Sequence, residues 1–134
     1  MKKFELTSEF VTFLGKKLFR IKALVSFGDV AEGELGGFIE RENNLDQSGD
    51  AWVSGDAWVQ NCRDYSATSC FGSENRTTTF FRTKDGGISV RCGCFYGTLN
   101  EFREKVKERH GDSRLAKEYL MLADLMEFRL SKDE

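Results

Sequence analysis

Residues 72–97, GSENRTTTFFRTKDGGISVRCGCFYG, decide the fold, because strand chemistry, positive charge and cysteines coincide there. Thr77 to Thr83 are β-branched or aromatic almost without interruption, and Ile88 to Tyr96 resumes the pattern after Lys84-Asp85-Gly86-Gly87. Asp-Gly supplies the positive-φ positions of a tight connection, so the stretch predicts a β-hairpin. With side chains alternating, Ile88, Val90, Cys92 and Cys94 share one face of the second strand, and Ser89, Arg91, Gly93 and Phe95 share the other. One face packs, and the other presents Arg91.

Immediately upstream, Gly-Asp-Ala-Trp-Val-Ser at 49–54 is followed by Gly-Asp-Ala-Trp-Val-Gln at 55–60, and the six-residue period continues in weaker form through Tyr65 and Phe71. Hexapeptide spacing is that of a parallel β-helix, which turns Val53 and Val59 inward and sets Trp52 and Trp58 on one side. Such a coil takes about three hexapeptides, so the tract makes little more than one and cannot bury its own face. It needs cover on both sides. The hairpin is expected on one side and the N-terminal strands on the other.

Those strands begin with an alternating run, Phe4 to Phe13, broken at Gly15. Leu18 to Leu24 follows as a half-buried strand with Phe19, Ile21 and Ala23 inward and Arg20 and Lys22 outward. Gly28, Gly33 and Gly36-Gly37 then punctuate a segment that reads as turns, with Phe38-Ile39 as its apolar anchor. These glycines lack the strand-to-helix setting and the Lys-Ser/Thr pair of a nucleotide P-loop. Beyond the hairpin, Thr98-Leu99-Asn100-Glu101 is a capping box that starts a helix, with Leu99, Phe102 and Val106 on its buried stripe and Gly111 after its end. Asp112 or Ser113 caps a second helix, Arg114 to about Leu130, whose main stripe is Leu115, Tyr119, Leu122 and Met126. Leu120, Met121, Ala123, Leu125 and Phe128 widen its apolar surface, which predicts a place between layers or contact with another copy of the chain.

The whole reads as one α+β domain, mostly β. Its parts are N-terminal strands over 1–48, the hexapeptide tract over 49–71, the hairpin over 72–97 and a helical pair over 98–130. The formal charge of −2 argues against a general nucleic-acid coat, although Lys16, Lys17, Arg20 and Lys22 form a local basic cluster. Without a charged leader or an apolar run of membrane length, the expected setting is the cytoplasm of a bacterial host cell, with no membrane partner. Four cysteines in such a chain are expected as free thiols. Cys92 and Cys94, joined by His110 or by Cys62 and Cys70, are the one candidate zinc set, and no other cofactor is implied.

Several segments together resemble a family of phage and prophage proteins. They are Lys3-Phe4-Glu5-Leu6-Thr7, Phe19-Arg20-Ile21-Lys22-Ala23-Leu24, Gly28-Asp29-Val30, Leu35-Gly36-Gly37-Phe38-Ile39-Glu40 and Glu42-Asn43-Asn44-Leu45. After the Gly-Asp/Asn-Ala-x-Val repeats come Gly72-Ser73, Thr77-Thr78-Thr79-Phe80-Phe81-Arg82, Cys92-Gly93-Cys94-Phe95 and His110-Gly111-Asp112. Family members often carry many more repeats than the two clear ones here. The resemblance implies an accessory gene of mobile DNA, a class that includes inhibitors of host immunity, and implies no reaction.

The first functional expectation is therefore a non-enzymatic binder that counters bacterial immunity, by sequestering a nucleotide-type signal or by blocking a defence protein such as a CRISPR effector. For a nucleotide, Arg76, Arg82 and Arg91 would meet phosphate, Thr77 and Thr79 would donate hydroxyls, and Phe81 and Phe95 would stack on the base. The plainer meaning is that the threonines are strand formers, the phenylalanines core and the arginines solvated. Trp52 and Trp58 with Lys17, Arg20 and Lys22 are the candidate surface for a protein partner or, as the alternative, for nucleic acid. A hexapeptide acyltransferase is the remaining reading. Such enzymes place a histidine between stacked subunits, whereas His110 ends a helix outside the repeat, so no catalytic residue is assigned.

Overall fold

The computed structural model describes residues 2–13, 15–28, 30–47, 50–60, 63–71, 76–92 and 95–131, without the side chains of residues 69–71 and 76. Among them the chain forms two four-stranded sheets and two C-terminal helices, an α+β arrangement that is mostly β. The first sheet holds β1 (Phe4–Phe13), β2 (Lys16–Ala23), β3 (Leu35–Ile39) and β4 (Trp58–Val59) in that order. The second holds β5 (Tyr65–Phe71), β6 (Arg76–Arg82), β7 (Ile88–Cys92) and β8 (Phe95–Thr98), each antiparallel to the next. The helices are α1 (Leu99–His110) and α2 (Arg114–Leu130).

The alternating run forms β1, and Gly15, at φ +80°, stands between it and β2. Ile21 and Ala23 are buried as alternation predicts, while Phe19 is only half-buried. Leu18 departs from the pattern: it lies on the face assigned to solvent and is fully buried. Gly36 and Gly37 depart further, since they lie inside β3 rather than in a turn. A Cβ at Gly36 would stand 2.6 Å from the Val53 carbonyl oxygen, and one at Gly37 would stand 2.6 Å from the Ala57 Cβ. Neither clearance is tolerable, so the paired glycines let the repeat tract lie directly against β3.

That tract is where the β-helix expectation is met in part. Phe38 pairs with Trp58 and Ile39 with Val59 in parallel, the single parallel pairing between named strands among the described residues. The chain leaves β3 and returns alongside it, as one turn of a coil does, and among the described residues no further rung follows. Val53 and Val59 are both fully buried, the inward positions that the repeat predicts. The tryptophans are not equivalent, which corrects the expectation that they share a side. Trp52 is a core residue, edge-on to Phe4 and Phe27, while Trp58 is half-buried and edge-on to Phe13.

The hairpin forms with Phe80 opposite Val90 and Thr79 opposite Arg91, and Gly86 takes φ +85° in its turn. The second strand is shorter than alternation over Ile88 to Tyr96 implies. It ends at Cys92, and β8 pairs back on it with Cys92 opposite Phe95 and Arg91 opposite Tyr96. Opposed residues of an antiparallel pair point to the same side. Phe95 therefore shares a face with Cys92 and Val90, and Tyr96, not Phe95, accompanies Arg91.

Both faces of this second sheet are covered. Phe80, Val90, Cys92 and Phe95 pack with Leu99, Phe102 and Val106 of α1 and Tyr119, Leu122 and Met126 of α2. Phe81 and Tyr65, on the other face, join Trp52, Val53, Val59 and Ile39. The hairpin is the middle layer of the molecule. Each helix begins at the predicted cap: Glu101 N donates to Thr98 Oγ1 at 3.1 Å while Thr98 N donates to Glu101 Oε1 at 2.9 Å, and Ala116 N donates to Ser113 Oγ at 3.1 Å.

Candidate binding surface

The middle-layer position settles what the hairpin residues do locally. Thr79 is buried, and its Oγ1 accepts a hydrogen bond from Trp52 N at 3.2 Å, tying the hairpin to the repeat. Phe81 is fully buried and lies parallel to the Tyr96 ring, 6.2 Å between centroids. Arg82 donates from Nε to the Leu130 carbonyl at 2.6 Å and pairs through Nη1 with Asp64 at 3.0 Å, where it neutralises the carbonyl end of α2. Arg91 donates from Nη1 to Glu34 at 2.9 Å and to Ser54 Oγ at 3.0 Å. Phe95 packs against Phe102, and Thr77 is half-buried on the side of Thr79. The backbone of Arg76 lies in β6, while its side chain is outside the described residues. Among the described side chains these residues are not gathered around a common opening, which corrects the picture of Arg91 presented on a free face. Their charges and rings hold layers together.

The partner set fares differently. Trp52 leaves it for the core. The others lie on the first sheet but on its two faces, since register sets Arg20, Phe38, Trp58 and Phe13 on one side and Lys17, Phe10 and Phe19 on the other. Arg20 is fixed by three contacts: Nη1 donates to the Gly36 carbonyl at 2.7 Å, Nε pairs with Glu9 at 3.0 Å, and the guanidinium lies 4.5 Å over the Phe38 ring. Phe38 adjoins Trp58 across the parallel pair, and Trp58 meets Phe13 with 4.8 Å between centroids. At the hairpin end, Lys17 Nζ lies 4.7 Å over the Phe10 ring, which itself leans on Phe19 at 5.9 Å. Each cation–ring contact is worth about 0.5–1 kcal/mol at an exposed site. Lys22 is exposed, with Glu5 opposite it in register.

Sequence reading missed Phe13 beside Trp58 on the Arg20 face, and Phe10 and Phe19 beside Lys17 on the opposite face. Their signal is faint: three aromatics flanking a Gly-Lys-Lys turn, visible only once β1 and β2 are paired. Charge on the surface is largely compensated, Arg20 by Glu9 and Lys16 by Glu40 at 3.8 Å. What it presents is aromatic area with fixed polar rims, the composition of a protein-binding hot spot.

An open groove of about 750 Å³ lies elsewhere, where the turn after β6, the start of α1 and the end of α2 meet. Asp56, Asp85, Tyr96, Glu101 and Glu127 line it. The Asp85 carboxylate accepts from Thr83 Oγ1 at 2.6 Å and Gly87 N at 3.2 Å, bonds that hold its pKa below the usual carboxylate value. An acidic lining of this kind repels a nucleotide phosphate.

Cys92 is half-buried and its sulfur accepts from Thr78 Oγ1 at 3.2 Å. Among the described residues no group of three or more His, Cys, Asp or Glu stands together as metal ligands, and Cys62 and Cys94 lie outside the described residues. His110 closes α1 with its ring stacked 5.8 Å from Tyr119. Among the described residues no helix is long and apolar enough to cross a membrane. No family model, curated protein or solved structure matches the chain.

Proposed function

We propose that this chain is a non-enzymatic binding protein that blocks a protein surface through the aromatic and cationic face of β1, β2 and β4. In the setting that its resemblance to phage proteins implies, the blocked partner is a component of bacterial defence, such as a CRISPR effector, met in the host cytoplasm. The observation that carries this reading is the contact chain of half-buried Arg20, Trp58 and Phe13 around the buried Phe38 ring, fixed by a hydrogen bond, an ion pair and edge-on ring packing. Fixed aromatic anchors lose little entropy on binding, and that is what concentrates affinity in a few residues. A protein partner is favoured over nucleic acid because phosphate recognition draws on uncompensated cations, and here Glu9 and Glu40 answer Arg20 and Lys16. It is favoured over a nucleotide signal because Arg82 and Arg91 are held by Asp64 and Glu34 while the open groove is acidic.

The test is phage plating on strains carrying different defence systems, with and without the chain expressed. Wild-type chain is expected to restore plating on at least one strain, and Trp58→Ala with Lys22→Glu to abolish that rescue while the purified variant keeps its circular dichroism spectrum. Rescue that survives the double change, or no rescue across the panel, would remove the proposal. A purified partner should bind wild type with little dependence on salt between about 50 and 200 mM, whereas a nucleic-acid target would show a steep loss.

A further inference from the structure

We infer that the outer face of α2 is a self-association surface, on which two copies of this chain pair antiparallel about a two-fold axis. Met121, Leu125 and Phe128 are 70, 55 and 85% exposed. They follow one another at i, i+4 and i+7 and so form one stripe, on a helix whose other side is already buried through Ala116, Tyr119, Ala123, Met126 and Leu130. The occupant is argued from charge. In an antiparallel pair, residues equally far from the axis on either side of it meet, so placing Leu125 near the axis brings Met121 against Phe128 of the second copy. At 100° per residue, Glu118 and Arg129 lie on the same flank of the stripe, and this register carries each toward the other across the interface. Both are exposed and of opposite sign. On the other flank, Asp124 sits near the axis and meets its counterpart, but each is compensated by Arg103 at 2.8 Å. The stripe is self-complementary, as a two-fold interface requires.

Three apolar side chains make a small interface, below the roughly 1,000 Å² of a stable dimer, so the association is weak. Sedimentation velocity of the full chain between about 10 µM and about 1 mM is expected to show the monomer passing into a dimer. Phe128→Glu should stay monomeric through that range, with an unchanged circular dichroism spectrum. Glu118→Arg should weaken association several-fold by setting two arginines against each other, and adding Arg129→Glu should restore it. A wild-type monomer at the highest concentration would overturn the inference. So would a Phe128→Glu chain that associates like wild type, or a charge exchange that fails to restore what Glu118→Arg removed.

Discussion

Asp50-Ala51-Trp52-Val53 and Asp56-Ala57-Trp58-Val59 are the same four residues twice, yet the fold treats them differently. Both valines are fully buried, but the first tryptophan is 1% exposed while the second stands half-buried on the outer face. The difference lies in what flanks each copy. The first runs between Gly36 of β3 and Thr79 of the hairpin, so its ring is enclosed by Phe4 and Phe27. The second is itself a strand of the first sheet, and its tryptophan turns toward Phe13. A sequence repeat thus specifies the inward positions and the parallel return of the chain, while neighbouring layers decide which tryptophan becomes core and which stays half-buried.

The largest expected effect divides the two copies. Trp52→Ala should cost about 3–5 kcal/mol in urea unfolding, the usual loss for a large aromatic removed from a core, and Trp58→Ala less than about half of that. Equal costs would break the comparison. Next comes the close approach beneath the tract. Gly37→Ala should cost about 1–3 kcal/mol by overpacking against the Ala57 side chain, and Ala57→Gly should recover part of it. Gly36→Ala meets the Val53 backbone carbonyl, so no side-chain change in the tract should recover it.

The smallest effect concerns the first copy alone. Lys3 Nζ donates to the Ala51 carbonyl at 2.7 Å and lies 4.8 Å over the Phe27 ring. Burial lowers its pKa from 10.5 to about 8, against the opposing pull of Asp46 and Asp50. Between those values the unfolded chain holds a proton that the folded chain has released, so stability rises with pH across that window and the penalty of burying the charge is fully present below it. Denaturant midpoints measured from pH 8 to pH 9.5 should climb in wild type and stay flatter in Lys3→Met. The reverse slope would contradict a buried, proton-poor Lys3.

Much of the local structure was legible in sequence: the hairpin turn from Asp85-Gly86, the capping box from Thr98 and Glu101, and the inward valines from the period of six. What sequence does not carry is the company each element keeps. Arg82 and Arg91 look like ligand contacts because Asp64 and Glu34 are remote in sequence or unmarked by any pattern. Thr79 and Phe81 look presentable because alternation implies one free face, and a sheet covered on both sides has none. Gly93 was the available hint that β7 would not run on to Tyr96, since a glycine inside a strand pattern weakens it.

The most direct measurement is acrylamide quenching of the two single-tryptophan chains, Trp58→Phe reporting on Trp52 and Trp52→Phe reporting on Trp58. Strong protection and blue-shifted emission are predicted for Trp52, with ready quenching of Trp58 on the outer face of the first sheet. Equal quenching of the two, or protection of Trp58 instead, would contradict the layered arrangement and the surface built on it.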